Sequence, residues 1–519
     1  MRRVAGFILP MVLVIIGLLA TMMAGFIFFV RAETAGSAAH ADAQQARLAA
    51  ESGLEEVIVT LRQTGHDATA WYDAPQRFRH KLVWSADFDR EHDSVEKRGT
   101  REEILAQRDV PPAAAWRFSV VADAWQEPAG REDARMRFGL TPEAGKLHLN
   151  HASEDQLRGL LTPLLTDLEV ENAEELLAAL LDWRDADSDI RENGAENEYY
   201  NTLEPPYSAK NGPFDSVEEL LLVKGFSAAI LYGEDVNRNG ILDPNEDDGD
   251  RSFPFYDNQD GILNRGIAPF LTVWTREPDV SLDNRPRINL NQDAATIMAQ
   301  VESYFTEVER EVCQGAINYI LQLKAENFDF RQLASAAELY QGSDGPTGGA
   351  GGTGALANSP VTLAELPYVL DRFSTRVPDG QQSTAGLINI NTAPARVLAV
   401  IPGMPTEGPE LIVDVRAGLD AELARTPAWL LTTATAEVID LAAFHAMAPH
   451  ITTKAYQLHV EVLGYADHTK ALRRYEWIIE MMGPLAQVRY WRDLTALGPA
   501  WPIDDKEIAG EGVEVQSGG

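Results

Sequence analysis

Cysteine is almost absent, with one residue, Cys313, in 519. No intrachain disulfide can form, and a chain of this length can bury enough core to do without one. Within EREVCQGAINYI the thiol reads as a buried, inert side chain. Positive charge is also scarce: 44 Lys and Arg stand against 79 Asp and Glu, a net charge of −35. That balance disfavours a nucleic-acid partner, whose phosphates need cations. Catalytic constellations are missing as well. The ten histidines are scattered singly, no Ser/His/Asp or His-metal pattern stands out, and His148 and His151 flank an Asn suited to capping a helix. Paired carboxylates could serve a glycosidase, but here they fall at metal-loop spacing, so the chain reads as a non-enzyme.

What the chain does have is one long apolar run. After Arg2 and Arg3, residues 7–30 carry no charge, about 24 residues where about 20 suffice to cross a bilayer. This is longer than the apolar region of a secretory signal, and the basic end stays cytoplasmic by the positive-inside rule. The segment reads as a signal anchor, as a cleaved signal with a poor site at Ala39 to Ala41, or as a prepilin-type signal. The last is suggested by Gly6 followed by Phe7, where a prepilin peptidase would cut and methylate. Most such helices carry Glu at the fifth mature position; here that position is Met11.

The length predicts two to four domains. The helix continues to about Thr64, with Leu54, Val57, Ile58 and Leu61 forming one apolar stripe. Residues 65–115 read as loops. Alternation then predicts a strand pair at Trp116–Trp125 and Ala134–Phe138, and a second group at 456–463, 472–481 and 488–491. Pairing the two groups in one sheet makes residues 146–380 an insertion, which is tolerated where its ends lie close together. The insertion reads as mostly helical, with Gly342 to Gly354 inside a flexible loop at 342–358. A phrase recurs at Leu147-His-Leu-Asn150, Ile288-Asn-Leu-Asn291 and Ile388-Asn-Ile-Asn391: a short extended segment, an Asn, then a helix. The last copy, with Pro402-Gly403, resembles a helix-hairpin-helix unit over 388–418. Its surroundings are acidic, and Pro405 offers no amide to a phosphate, so a structural hairpin is expected rather than a DNA-binding one.

The sharpest chemical pattern is Asp235-Val-Asn-Arg-Asn-Gly-Ile-Leu-Asp-Pro-Asn-Glu246. A calcium loop of the EF-hand type needs oxygens at positions 1, 3, 5, 7, 9 and 12, and Gly at 6. Asp235, Asn237, Asn239, the Ile241 carbonyl, Asp243 and Glu246 fill those slots, Gly240 sits at the turn, and Leu242 is expected to pack inward. The expected cofactor is a structural Ca2+. A possible second site is Asp185, Asp187 and Asp189 with Glu196, although Ile190 occupies the glycine position. Asp257 and Asp260 form a third acidic turn that could donate to a neighbouring ion.

Together these stretches resemble minor pseudopilin K of type II secretion systems. The resemblance rests on the Gly6-Phe7 leader, ARLAAESGLEEVI, LHLNHASEDQLRGLL, PFDSVEELLLVKGF, LININTAPARVL and, most specifically, the block Asp182 to Tyr200. The region 265–360 is longer than the family pattern. The resemblance implies an α+β, type IV pilin-like fold, with a long N-terminal helix on an antiparallel sheet. It also implies a large, mostly α-helical, calcium-binding insertion with helix-hairpin-helix or SAM-like units. The implied domains are a leader (1–6), a transmembrane helix (7–30), the pilin-like helix and first strands (31–145), the insertion (146–380), a return to the pilin-like domain (381–500) and a disordered tail (501–519). The implied partners are minor pseudopilins I and J, the prepilin peptidase and the inner membrane, with the bulk of the chain periplasmic and no nucleic acid bound. A tip subunit has none above it to pair with, which would account for Met11, since an unpaired carboxylate in hydrocarbon is costly. The alternative is a membrane-anchored, calcium-dependent binding protein unconnected with pili.

Overall fold

The structure, a computed structural model, describes residues 8–65, 67–85, 115–123, 136–342, 356, 359–376, 383–483 and 485–500. Gly6 and Phe7, most of the 342–358 loop and the 501–519 tail lie outside the described residues.

One helix, α1, runs from Ile8 to Thr64. Its first half is exposed around its whole circumference, and it is long and apolar enough to cross a membrane, with a mean hydropathy of 2.6 in its most apolar window. Its second half packs on a sheet through Ala46, Ala49, Ala50, Val57 and Leu61, all buried, with Leu54 and Ile58 half-buried beside them. The contact is close because two glycines make it so. A Cβ on Gly53 would lie 2.6 Å from Val462, and one on Gly464 would lie 2.0 Å from the Ala46 carbonyl oxygen.

The sheet has five principal strands: β1 (Lys81–Ser85), β2 (Ala115–Asp123), β3 (Gln457–Ala466), β4 (Leu472–Met482) and β5 (Leu485–Asp493). They lie in that order and every pair is antiparallel, with Val120 opposite Val462, Val460 opposite Trp477, and Trp477 opposite Trp491. β1 falls within a stretch that reads as loop from its composition. Alternation gives the sheet two faces. Val460, Val462, Tyr475, Trp477 and Ile479 join the core under α1. The opposite face carries His459, Glu461, Arg474, Glu476 and Glu480 and meets the insertion.

Between β2 and β3, which are neighbours in the sheet, the chain makes a long excursion. It leaves by Thr141–Pro142, which pair with His459 and Leu458 at the start of β3, so departure and return lie side by side. The excursion consists of three units built alike. Each opens on one of the recurring Asn phrases and closes on a short parallel pairing: Leu147–His148 with Leu271–Thr272, Ile288–Asn289 with Phe373–Ser374, and Ile388–Asn389 with Ile451–Thr452. The same amide bond recurs in each, from Leu149 to the Thr272 carbonyl (2.8 Å), Leu290 to Ser374 (2.8 Å) and Ile390 to Thr452 (3.0 Å). The recurring Asn is less a helix cap than a clasp. Asn150 exchanges two hydrogen bonds with the Phe214 backbone. Asn291 donates to the Thr375 and Arg376 carbonyls. Asn391 donates to the Ala424 carbonyl and accepts from Trp429. One continuous core, from Leu147 to Ile451, joins all three units. The sequence suggests a return to the sheet domain at 381; the third unit occupies 388–452, and the main sheet resumes at Gln457.

The insertion meets the sheet through ion pairs. Arg276 grips Glu480 with two bonds (2.5 and 2.6 Å), and Arg492 bridges Glu476 on the sheet and Glu218 on the insertion. Such pairs add little net stability in a buried seam, but they fix its register, because breaking one strands a charge.

Candidate metal centre

The loop predicted from sequence follows a one-turn helix, Ala228–Tyr232, and lies against the polar face of the sheet. Its turn closes as the pattern requires. Gly240 adopts φ +70°, and its amide donates to Asp235 Oδ2 at 3.0 Å. Asn239 N–H reaches Asp235 Oδ1 (2.9 Å), and Ile241 N–H reaches Asn239 Oδ1 (2.7 Å). Glu246 folds back to accept from the Val236 and Asp243 amides, both at 3.1 Å. Asp235, Asn239 and Glu246 are buried. Asp243 Oδ2 accepts from the side-chain amides of Asn237 (2.6 Å) and Asn239 (2.9 Å), so the residues named from spacing are in mutual contact. Leu242 is half-buried, and it is Ile241 that packs against Val121, Leu463 and Tyr465.

Electrostatics make the loop receptive to a cation. Burial pushes the Glu246 carboxyl up to about 7, and the Asp235 and Asp243 charges add to this against the backbone bonds that oppose it. Arg265 Nε stands 3.4 Å from Asp235. Among the described residues no three His, Cys, Asp or Glu side chains group as a metal cage. An ion here would therefore rely on Asn oxygens and the Ile241 carbonyl beside the three acids. That all-oxygen donor set matches the preference of Ca2+.

The other acidic clusters resolve differently. Asp182, which the spacing argument leaves outside its ligand set, is fully buried. It accepts from Arg191 Nη1 (2.8 Å) and the Ala195 amide (2.9 Å), and Gly194 is required there because a Cβ would lie 1.9 Å from its Oδ2. Asp187 and Asp189 point to solvent, whereas Glu196 is buried. Asp185 Oδ1 and Asn211 Oδ1 are buried without a hydrogen-bond partner among the described residues, while the buried Glu196 carboxylate is approached by the Asn211 side chain and the Asn197 amide. Burial raises the Glu196 pKa. Asp185 and Glu196 are thus brought together with Asn211, a residue the spacing does not reveal. Asp257 accepts from the Gly249 and Gln259 amides and leaves Oδ2 without a partner, while Asp260 is exposed. Glu234 is a further residue missed in sequence. It is buried and accepts from the Asn258 and Asn264 amides, tying the 257–264 turn to the start of the main loop.

The two histidines flanking Asn150 are packing residues. Their rings meet edge to face at 4.7 Å, His148 Nδ1 accepts from the Asn150 amide, and burial takes the His148 pKa down to about 3.

Residues 143–232, the first unit up to the loop, match the family model described as type II secretion system protein K. Two curated relatives carry that name. The protein of Klebsiella pneumoniae is 42% identical over 73 residues, 14% of this chain and 22% of that protein. The protein of Aeromonas hydrophila is 43% identical over 70 residues, 13% of this chain and 21% of that one. The matched stretch is thus about a fifth of each relative's length. Among solved structures, a chain of the GspK-GspI-GspJ complex from the enterotoxigenic Escherichia coli type 2 secretion system superposes at a TM-score of 0.37. That match has 10% identity and covers 88% of this chain and 98% of that one. Over residues 143–232 the chain is similar to the type II secretion system protein K family.

Proposed function

We propose that the chain is a minor pseudopilin that acts at the tip of a type II secretion pseudopilus, as a non-enzymatic component that helps initiate assembly. The observation that carries this reading is where the matched segment sits. Residues 143–232 open an excursion from a body in which one continuous helix, bare in its first half, lies on an antiparallel sheet in its second. A bare apolar half-helix suits storage in the inner membrane and then burial among like helices in a filament. A three-unit excursion is too bulky to repeat along that filament and suits its end. Met11 fits the same position, having no carboxylate to pair with the terminal amine of a neighbour. The partners proposed are minor pseudopilins I and J, with a prepilin peptidase cutting after Gly6 and methylating Phe7. The N-terminus is proposed to be cytoplasmic and the bulk periplasmic.

The ion proposed for the 235–246 loop is Ca2+, held by Asp235, Asn237, Asn239, the Ile241 carbonyl, Asp243 and Glu246. Its charge would offset three acids crowded into one buried turn and stiffen the loop. The oxygens of Asp185 and Glu196 are proposed as a second site. Mass spectrometry of the mature N-terminus tests the pseudopilin reading: a methylated Phe7 supports it, and a retained Met1 or cleavage near Ala41 would sink it. Co-purification with candidate I and J subunits tests the assembly role, and failure of both to associate counts against it.

A further inference from the structure

We infer that Arg474 couples the 235–246 loop to the sheet, so that cation binding in the loop and packing of that loop against the sheet strengthen each other. The coupling rests on the calcium reading given above. Arg474 lies on β4, on the face turned toward the insertion, and its side chain is fully buried. Each guanidinium nitrogen has its own task. Nε donates to Glu461 of β3 (2.5 Å), Nη1 to the Asn237 carbonyl (2.8 Å) and Nη2 to the Arg238 carbonyl (2.5 Å). The two carbonyls belong to positions 3 and 4 of the ion loop, so the sheet holds the backbone from which Asn237 and Asn239 project.

Three further observations fit a coupling rather than an incidental contact. Glu461 neutralises the guanidinium locally, so Arg474 can sit behind the loop without repelling a cation in front of it. Arg238 is in the left-handed region (φ +56°), and its own guanidinium lies 3.9 Å from the centre of the Tyr232 ring, which holds the peptide that Arg474 grips in a fixed orientation. Ile241, two residues beyond Asn239, packs half-buried against the cluster of Val121, Leu463, Tyr465 and Ala500. A cavity of about 160 Å³ separates Asp235, Arg238 and Arg265 from His459, Glu476 and Arg492. Arg474 and Ile241 are two points where loop and sheet touch, and a loop ordered by an ion presents them with a ready-made partner. Coupling of this kind is reciprocal by thermodynamic necessity.

The test uses the full chain in detergent, with calcium alone as the ligand. Its affinity is measured by competition with a chromophoric chelator, and hydrogen exchange is followed at amides 239–241 and 459–463. In the wild type, calcium slows exchange at both places. Arg474→Gln is expected to weaken calcium binding about tenfold, a typical coupling factor, and to abolish the calcium-dependent protection at 459–463 while sparing that at 239–241. Arg474→Lys, which keeps the charge and one donor, falls between, and it stands in if the Gln variant does not fold. Arg276→Gln, which breaks the seam at Glu480, away from the cavity beside the loop, should leave calcium affinity unchanged. Wild-type affinity in both Arg474 variants overturns the coupling and leaves calcium binding standing, as does an equal loss in Arg276→Gln. Failure of the wild type to bind calcium overturns the calcium reading and the coupling with it.

Discussion

The contact between α1 and the sheet can be tested with one substitution made at two places on the same helix. Gly36→Ala and Gly53→Ala each replace a helical glycine with the best helix former, a gain of about 1 kcal/mol from propensity. At Gly36 the new methyl meets nothing within 4 Å, so the gain is kept. At Gly53 it would lie 2.6 Å from Val462 Cγ1 and 2.8 Å from Phe118 Cδ2, both belonging to buried side chains. Neither can rotate away in a close-packed layer, so helix and sheet must separate by a few tenths of an ångström. Overpacking of this kind costs about 1–3 kcal/mol, which cancels the propensity gain or exceeds it. Gly53→Ala should therefore be less stable than Gly36→Ala by about 1–3 kcal/mol, and Gly464→Ala, whose methyl would strike the Ala46 carbonyl oxygen and the Ala50 amide nitrogen, should be worse than either. Native-state hydrogen exchange at residues 46–61 and 458–464, in full-length protein in detergent, reads the difference as a local opening free energy. Equal protection in the two α1 variants would refute close approach as the basis of the contact.

Removing divalent cations with EDTA should lower the melting temperature and added Ca2+ should restore it, with identical curves counting against the ion loop. Burial alone would lower the His459 pKa, but the hydrogen bond and charge of Glu476 outweigh it and raise it, while His459 and Arg492 hold Glu476 below the usual carboxylate range despite its burial. The histidine's contribution is thus complete below about pH 6.5 and lost as pH rises through its higher folded value, so exchange along the seam should quicken there, and His459→Gln should flatten the response. Burial pushes the Cys313 thiol up to about 12, so a maleimide should label it only as fast as the insertion unfolds; rapid native labelling would show that the core around it is open. Asn391→Ala strands the Ala424 carbonyl and the Trp429 indole N–H, and should cost about 1–3 kcal/mol per stranded group, measured by urea denaturation of the insertion.

How far the fold can be read from sequence depends on whether a residue's signal is local. The strands of the main sheet are legible because one face packs under α1 and alternation follows. β1 is hidden because its neighbours in sequence are polar and its partner, β2, is distant. The openings of the three units stand out through their Asn residues, whereas their closings at Thr272, Ser374 and Thr452 carry no mark: parallel pairing across 63 to 124 residues leaves no periodicity behind. That is why the third unit reads as part of the returning body. At the acidic clusters, spacing finds the 235–246 loop because the hydrogen bonds among its proposed ligands all lie within 12 residues. It misjudges 182–196, where Asp182 takes the structural bonds, Asp187 and Asp189 face solvent, and Asn211 comes in from a separate turn. Glu234 is invisible for the same reason, since its two donors lie 24 and 30 residues away.

The side-by-side departure and return at Thr141–Pro142 and β3 have a consequence for how such proteins diversify. Each unit closes on itself, so the chain comes back close to where it set out, and the body does not register how many units were visited in between. Copy number becomes a free variable, and units can be gained, lost or lengthened without re-registering a single strand of the main sheet. The family model that matches this chain covers the opening unit, residues 143–232.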